Sequence, residues 1–132
     1  RKESSAASDV YKRQGVDIVE IERFMRMDNL DGIAKKILHS NELAEFHKNK
    51  NKYLFLSKKF AFKEAFVKAI GTGLREPFFL NNIEIVRDKL GKPVVVTHDE
   101  AKKEFENLGI TKAHVSLSDT EQYVVAFVVL EK

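Results

Sequence analysis

Cysteine is absent from this sequence, and so is tryptophan. Without thiols, neither a disulfide framework nor a thiolate-held metal can form, and a reducing, cytoplasmic setting is the expectation. Long apolar runs are missing too. The longest, at 123–130, falls far short of the roughly 20 residues needed to cross a bilayer, and no segment has a signal-peptide pattern, so no membrane role is expected. There is no dominant charge: 23 Lys and Arg stand against 20 Asp and Glu, and the net +3 does not by itself demand a polyanionic partner. His39, His47, His98 and His114 lie far apart, with none of the spacings of a zinc motif. No nucleophile elbow, P-loop or dinucleotide-binding glycine pattern is present. Any chemistry must therefore rest mostly on carboxylates and lysines.

What remains is an ordinary globular composition, 43% apolar and 33% charged, on 132 residues, enough for one domain with a real core. Residues 1–14 are small, polar and charged without an apolar period, and there is no initiator Met. They read as a disordered leader, either foreign to the protein or a native extension. The folded domain is expected over 15–132. Residues 16–21 alternate and are β-branched, so they predict a strand with Asp17, Val19 and Ile21 on one face and Val16 and Ile18 on the other.

A helical stretch over 23–38 should break near Asp31-Gly32, and Ser40 or Asn41 should cap the next helix. A longer helix, from about Tyr53 or Ser57 to Ile70, carries Phe62, Phe66 and Ile70 every four residues and ends at Gly71-Thr72-Gly73. The second half predicts two strands around an Asp88-Lys89-Leu90-Gly91 turn. A short helix capped by Asp99 and stopped by Gly109 should follow, then a hairpin of 114–118 with 123–130. Mixed blocks without βαβ alternation predict an α+β domain, an antiparallel sheet packed against the long helix.

Three segments carry candidate chemistry. Glu64 and Lys68, four apart, project from one helix face; alone they are an exposed ion pair worth roughly a few tenths of a kcal/mol. Asp17 sits among aliphatic strand residues, where a carboxylate is costly unless a cation or hydrogen bonds compensate it, or the strand is an edge in water. His114-Val115-Ser116-Leu117-Ser118-Asp119 puts polar side chains along one strand face. A carboxylate for Mg²⁺ beside an ammonium for phosphate is the functional reading of the first two.

In this order, Gly15-Val16-Asp17, then Lys63-Glu64-Ala65 with Lys68-Ala69 and Gly71-Thr72-Gly73, then Ser116-Leu117-Ser118 resemble the holo-acyl-carrier-protein synthases, a family of phosphopantetheinyl transferases. The resemblance runs from Gly15 to the C-terminus, including Gly91-Lys92-Pro93, and the central motif is the specific one. It implies transfer of phosphopantetheine from coenzyme A to a serine of apo-acyl carrier protein in fatty acid biosynthesis, releasing adenosine 3′,5′-bisphosphate. It also implies a homotrimer with active sites at subunit interfaces. By that resemblance Asp17 and Glu64 hold Mg²⁺, and Glu64 and Lys68 are catalytic. Lys59, Lys68, Gly71, Lys92 and Ser116 meet coenzyme A, with Lys59 or Lys50 at the 3′-phosphate. Arg23 and Arg26 receive the acidic carrier protein. Either Glu64 or a metal-bound water takes the serine proton.

One position departs from the pattern. Asp119 stands where the family usually carries a histidine, and a carboxylate there repels phosphate unless it points away or pairs with a lysine. His114 shares the strand face of Ser116 and Ser118. The rival reading, a non-enzymatic nucleic-acid-binding module, rests on lysines interleaved with Tyr53, Phe55 and Phe60 over 48–60. The small net charge and the helical spacing of the phenylalanines oppose it, so no nucleic-acid partner is expected.

Overall fold

A computed structural model of the chain describes residues 12–132. Strand β1 (Lys12–Glu20) leads into the one-turn helix α1 (Glu22–Met25), then α2 (Leu30–Ile37), α3 (Ser40–Lys48) and the long α4 (Lys52–Ile70). A 3-10 turn (Leu80–Asn82) opens the hairpin of β2 (Ile83–Arg87) and β3 (Pro93–Thr97). Helix α5 (Asp99–Asn107) and the hairpin of β4 (Lys112–Asp119) and β5 (Tyr123–Glu131) follow. Strand β5 is the centre of an antiparallel sheet ordered β1-β5-β4, and β2-β3 form a separate two-stranded sheet. This is the α+β architecture that the sequence pattern predicts.

The long helix is the axis of the molecule. Leu56, Ala61, Phe62, Ala65, Phe66, Val67, Ala69 and Ile70 are all buried, so α4 is wrapped on nearly every side rather than carrying a single core stripe. Val19, Val124, Ala126, Val128, Leu130 and Val115 cover it from the inner face of the larger sheet. Phe66 meets Phe62, Phe78 and Phe105 at ring-centroid distances of 6.1, 6.3 and 5.5 Å. The helix begins at the Asn51 cap, whose side chain accepts from the Leu54 N–H, and ends at Gly71 with φ +94°, a left-handed conformation that glycine adopts without strain.

A buried ion pair joins the helical and two-stranded parts. Lys63 and Glu42 are both fully buried, and the Lys63 ammonium donates to Glu42 Oε1, to Ile37 O (2.7 Å) and to Leu80 O (2.9 Å). Glu42 also accepts from the Ile85 N–H (3.0 Å) and the His39 N–H (3.0 Å). Every buried side-chain polar atom among the described residues has a partner. Desolvation pushes the Lys63 ammonium down to about 8, against the opposing charge of Glu42.

Several boundaries differ from the sequence reading. Strand β1 begins at Lys12, so residues 12–14 pair with β5 instead of belonging to a leader, while 1–11 lie outside the described residues. Arg13 Nη1 also donates to Ile70 O (2.6 Å), tying that segment to the end of α4. The helical break falls before Leu30, because Asn29 accepts from the Gly32 N–H (3.0 Å) and draws Asp31-Gly32 into the first turn of α2. His39, not Ser40 or Asn41, caps α3: its Nδ1 accepts from the Asn41 N–H (3.1 Å), while Glu42, held by Lys63, takes the His39 N–H. His98, not Asp99, precedes α5.

Candidate active site

The site grows from the crossing of β1 and α4. Gly15 faces α4 so closely that a Cβ there would lie 1.9 Å from Ala65 O and 2.6 Å from Ala69 N. The glycine thus lets the strand backbone rest on the helix backbone. Two residues on, Asp17 points to the same inner side, opposite Ala126, while Val16 and Ile18 are exposed on the outer face. Gly15→Ala should cost at least about 1–3 kcal/mol by forcing β1 off α4. Urea unfolding will measure it. The variant should also lose activity beyond its unfolded fraction, because Asp17 moves with the strand.

Against Asp17 stand Glu64 and Lys68 on successive turns of α4. Lys68 Nζ donates to Asp17 Oδ1 (3.0 Å) and to Val16 O (3.1 Å). The ammonium therefore turns toward the strand and not into the simple pair with Glu64 that the four-residue spacing suggests. Partial burial raises the Glu64 carboxyl above its usual range, and the negative charge of Asp17 adds to the rise; Lys68 and Arg23 oppose it. Two mutually repelling carboxylates in a half-buried setting, with hard oxygen donors only, are the donor set Mg²⁺ takes. Asp17, Glu64 and Lys68 are thus brought together as the sequence suggests. Arg23 stands near enough for its charge to act on Glu64, with its guanidinium 5.1 Å from the Phe60 ring centroid.

The remaining sequence candidates lie elsewhere on the chain. Arg26 is engaged with Glu22 (2.6 Å) and lies 3.8 Å from Glu20. Lys59 faces β2, donates to Ile85 O (3.1 Å) and lies over the Phe55 ring; burial pushes its ammonium down. Together with Lys58, Arg87, Phe55 and Leu117, Lys59 lines a cavity of about 240 Å³. Lys50 is exposed in the α3–α4 connection, and Lys92 is exposed in the β2–β3 turn, where its N–H donates to Asp88 Oδ1 (2.9 Å). Gly71 caps α4 one turn beyond Lys68.

Ser116 lies on the outer face of the sheet. It pairs across from Phe127, which pairs in turn with Val16, whereas Asp17 shares Ala126 with Leu117 on the inner face. The single chain therefore does not bring Ser116 to the carboxylates. Asp119 has its lysine: Lys58 Nζ lies 3.9 Å away, at the cavity edge. His114 Nε2 is bonded to Glu131 (2.7 Å).

Sequence reading missed the Lys63–Glu42 pair and the cavity beside Lys59. For Lys63 a signal existed, since it sits beside Phe62 and three residues before Phe66 on the buried side of α4. For the cavity none did, because its walls come from four separate elements.

Residues 13–128 match the family model of the 4′-phosphopantetheinyl transferase superfamily. A holo-[acyl-carrier-protein] synthase of Cronobacter sakazakii is 40% identical over 119 residues, 89% of this chain and 94% of the relative. The crystal structure of the Neisseria meningitidis holo-[acyl-carrier-protein] synthase superposes with a TM-score of 0.86 at 41% identity, covering 91% of this chain and 98% of that one. That of Bacillus anthracis, in complex with coenzyme A (3′,5′-ADP), superposes with a TM-score of 0.76 at 34% identity, covering 91% and 96%.

Proposed function

We propose, from the premise that this chain belongs to the 4′-phosphopantetheinyl transferase superfamily, that it moves the phosphopantetheine group of coenzyme A to a serine of apo-acyl carrier protein in a Mg²⁺-dependent reaction of fatty acid biosynthesis. The observation that carries this reading is the convergence of Asp17, Glu64 and Lys68 at the β1–α4 crossing. Asp17 and Glu64 would hold Mg²⁺, which supplies polarisation of the phosphoryl group and offsets charge on the leaving bisphosphate. Lys68, released from Asp17, adds a point charge for the phosphate. Either Glu64 or a water held by the metal would take the serine proton. The cavity beside Lys59, with Lys58 and Arg87 at its wall and Phe55 within it, suits the phosphorylated adenosine end of coenzyme A. Arg23 and Arg26 would meet the acidic carrier at the exposed end of α1. The test is release of adenosine 3′,5′-bisphosphate in step with holo-carrier formation; carrier turnover without that product would contradict the reading.

A homotrimer with shared active sites is part of the proposal. Its support is the outer sheet face, where Val16, Ile18, Tyr123, Val125 and Phe127 are exposed between 37% and 62%, a contiguous apolar surface with Ser116 beside it. A second copy seated there could bring its own Asp17 and Glu64 to this chain's Ser116. Phe127→Lys should convert the trimer to monomer in sedimentation and lower transfer with it, while the far-UV spectrum stays unchanged. A monomeric wild type would remove this part of the reading.

A further inference from the structure

His39, Glu84 and His98 are distant in sequence and follow no metal-motif spacing, yet the fold gathers them. Three elements meet there: His39 caps α3, Glu84 lies within β2, and His98 stands just before α5. His98 Nε2 lies 2.8 Å from Glu84 Oε1, and His39 Nδ1 lies 3.8 Å from the same oxygen. One ligand atom from each residue falls within 4.8 Å of the others, the one such His, Asp and Glu group among the described residues. From these contacts we infer a binding site for a divalent metal of the zinc class, separate from Asp17 and Glu64, held by His39, Glu84 and His98.

The geometry and chemistry both favour it. Ligand atoms about 2.0–2.1 Å from a tetrahedral zinc lie about 3.4 Å apart, between the two spacings seen here. Imidazole and carboxylate together suit zinc-like metals over Mg²⁺, and three protein ligands leave a position for water. Glu84 is only 5% exposed, so its oxygens are already desolvated, and the Asn41 amide donates to Oε1 (3.4 Å) as an outer partner. His39 Nδ1 accepts from the Asn41 N–H, and this hydrogen bond is exchanged for the metal on binding. The two imidazoles are stacked with centroids 4.0 Å apart and planes at 16°, so they must swing apart to point at one ion. Side-chain exposures of 20% and 27% leave solvent on one side for that movement. A bound ion would clamp the starts of α3 and α5 to β2, beside the Glu42–Ile85 hydrogen bond.

The test uses the full chain, stripped with a chelator and titrated with Co²⁺. One equivalent should give the intense visible bands of tetrahedral coordination, resistant to excess Mg²⁺ and displaced by Zn²⁺. A Co²⁺ ion at the all-oxygen Asp17–Glu64 site would be octahedral and only weakly coloured, so this readout stands whether or not the proposed activity does. His39→Ala, His98→Ala and Glu84→Gln should each weaken binding by at least about 100-fold, more than the loss of an outer partner. His47→Ala should leave it unchanged. His98→Asn keeps a donor toward Glu84, so loss of binding in that folded variant separates ligation from misfolding. Zinc should raise the melting temperature of the wild type and not of His98→Asn. Absence of the bands in the wild type, or their persistence in His98→Asn and Glu84→Gln, would overturn the inference.

Discussion

Lys63→Met should destabilise the fold by about 3–5 kcal/mol, more than any exposed substitution, because it leaves the buried Glu42 carboxylate without a hydrogen-bonded cation, with only the Lys59 ammonium 3.9 Å from it. The change also strips a donor from Ile37 O and from Leu80 O, so α2 and the 3-10 turn lose their tie to α4. Methionine fills most of the lysine volume, which makes the loss electrostatic more than steric. Urea unfolding should show a lowered midpoint with an unchanged slope. Adding Glu42→Gln to Lys63→Met should recover part of the loss, because the amide carries no buried charge and its one oxygen can still accept from either the Ile85 or the His39 N–H, which Glu42 serves through separate oxygens. A loss below about 1 kcal/mol in the single variant, the range of an exposed pair, would show that the pair does not hold these elements together.

Asp17→Asn and Glu64→Gln should each lower transfer on the order of 10³-fold, the effect of losing several kcal/mol of phosphoryl polarisation. Both replacements keep shape, and the contact broken in Asp17→Asn is a half-exposed ion pair with Lys68, so stability should change by less than about 1 kcal/mol. Calorimetry with Mg²⁺ should show binding to the wild type and its loss in both variants. Lys68→Ala should retain metal binding and lose rate, which would separate the ammonium's role from that of the carboxylates. Full activity in Asp17→Asn would end the metal assignment.

Much of this was legible in the sequence, for identifiable reasons. The β-branched alternation around Asp17 fixes which face the carboxylate shares with Val19, and the four-residue spacing fixes Glu64 and Lys68 on successive turns of one helix. What escaped depends on pairings distant in sequence. Lys63 finds Glu42 across 21 residues, and that contact moves the α3 cap back to His39. Arg13 reaches Ile70 across 57 residues, so a segment without apolar period still joins the sheet. The placement of Ser116 in line with Val16, on the sheet face away from Asp17, follows only from the pairing of β1 and β4 with β5, since neither strand's own alternation says how the other is aligned.

The central claim, that Asp17 and Glu64 support metal-dependent transfer of phosphopantetheine, is tested most directly by weighing the carrier. The chain is incubated with coenzyme A and apo-acyl carrier protein, with Mg²⁺ or with a chelator, and the intact carrier is measured by mass spectrometry. The expected result is a gain of one phosphopantetheinyl group in Mg²⁺, and none with the chelator or with Asp17→Asn. A carrier that stays at its apo mass in Mg²⁺, or gains the group equally when the metal is chelated, would contradict the account.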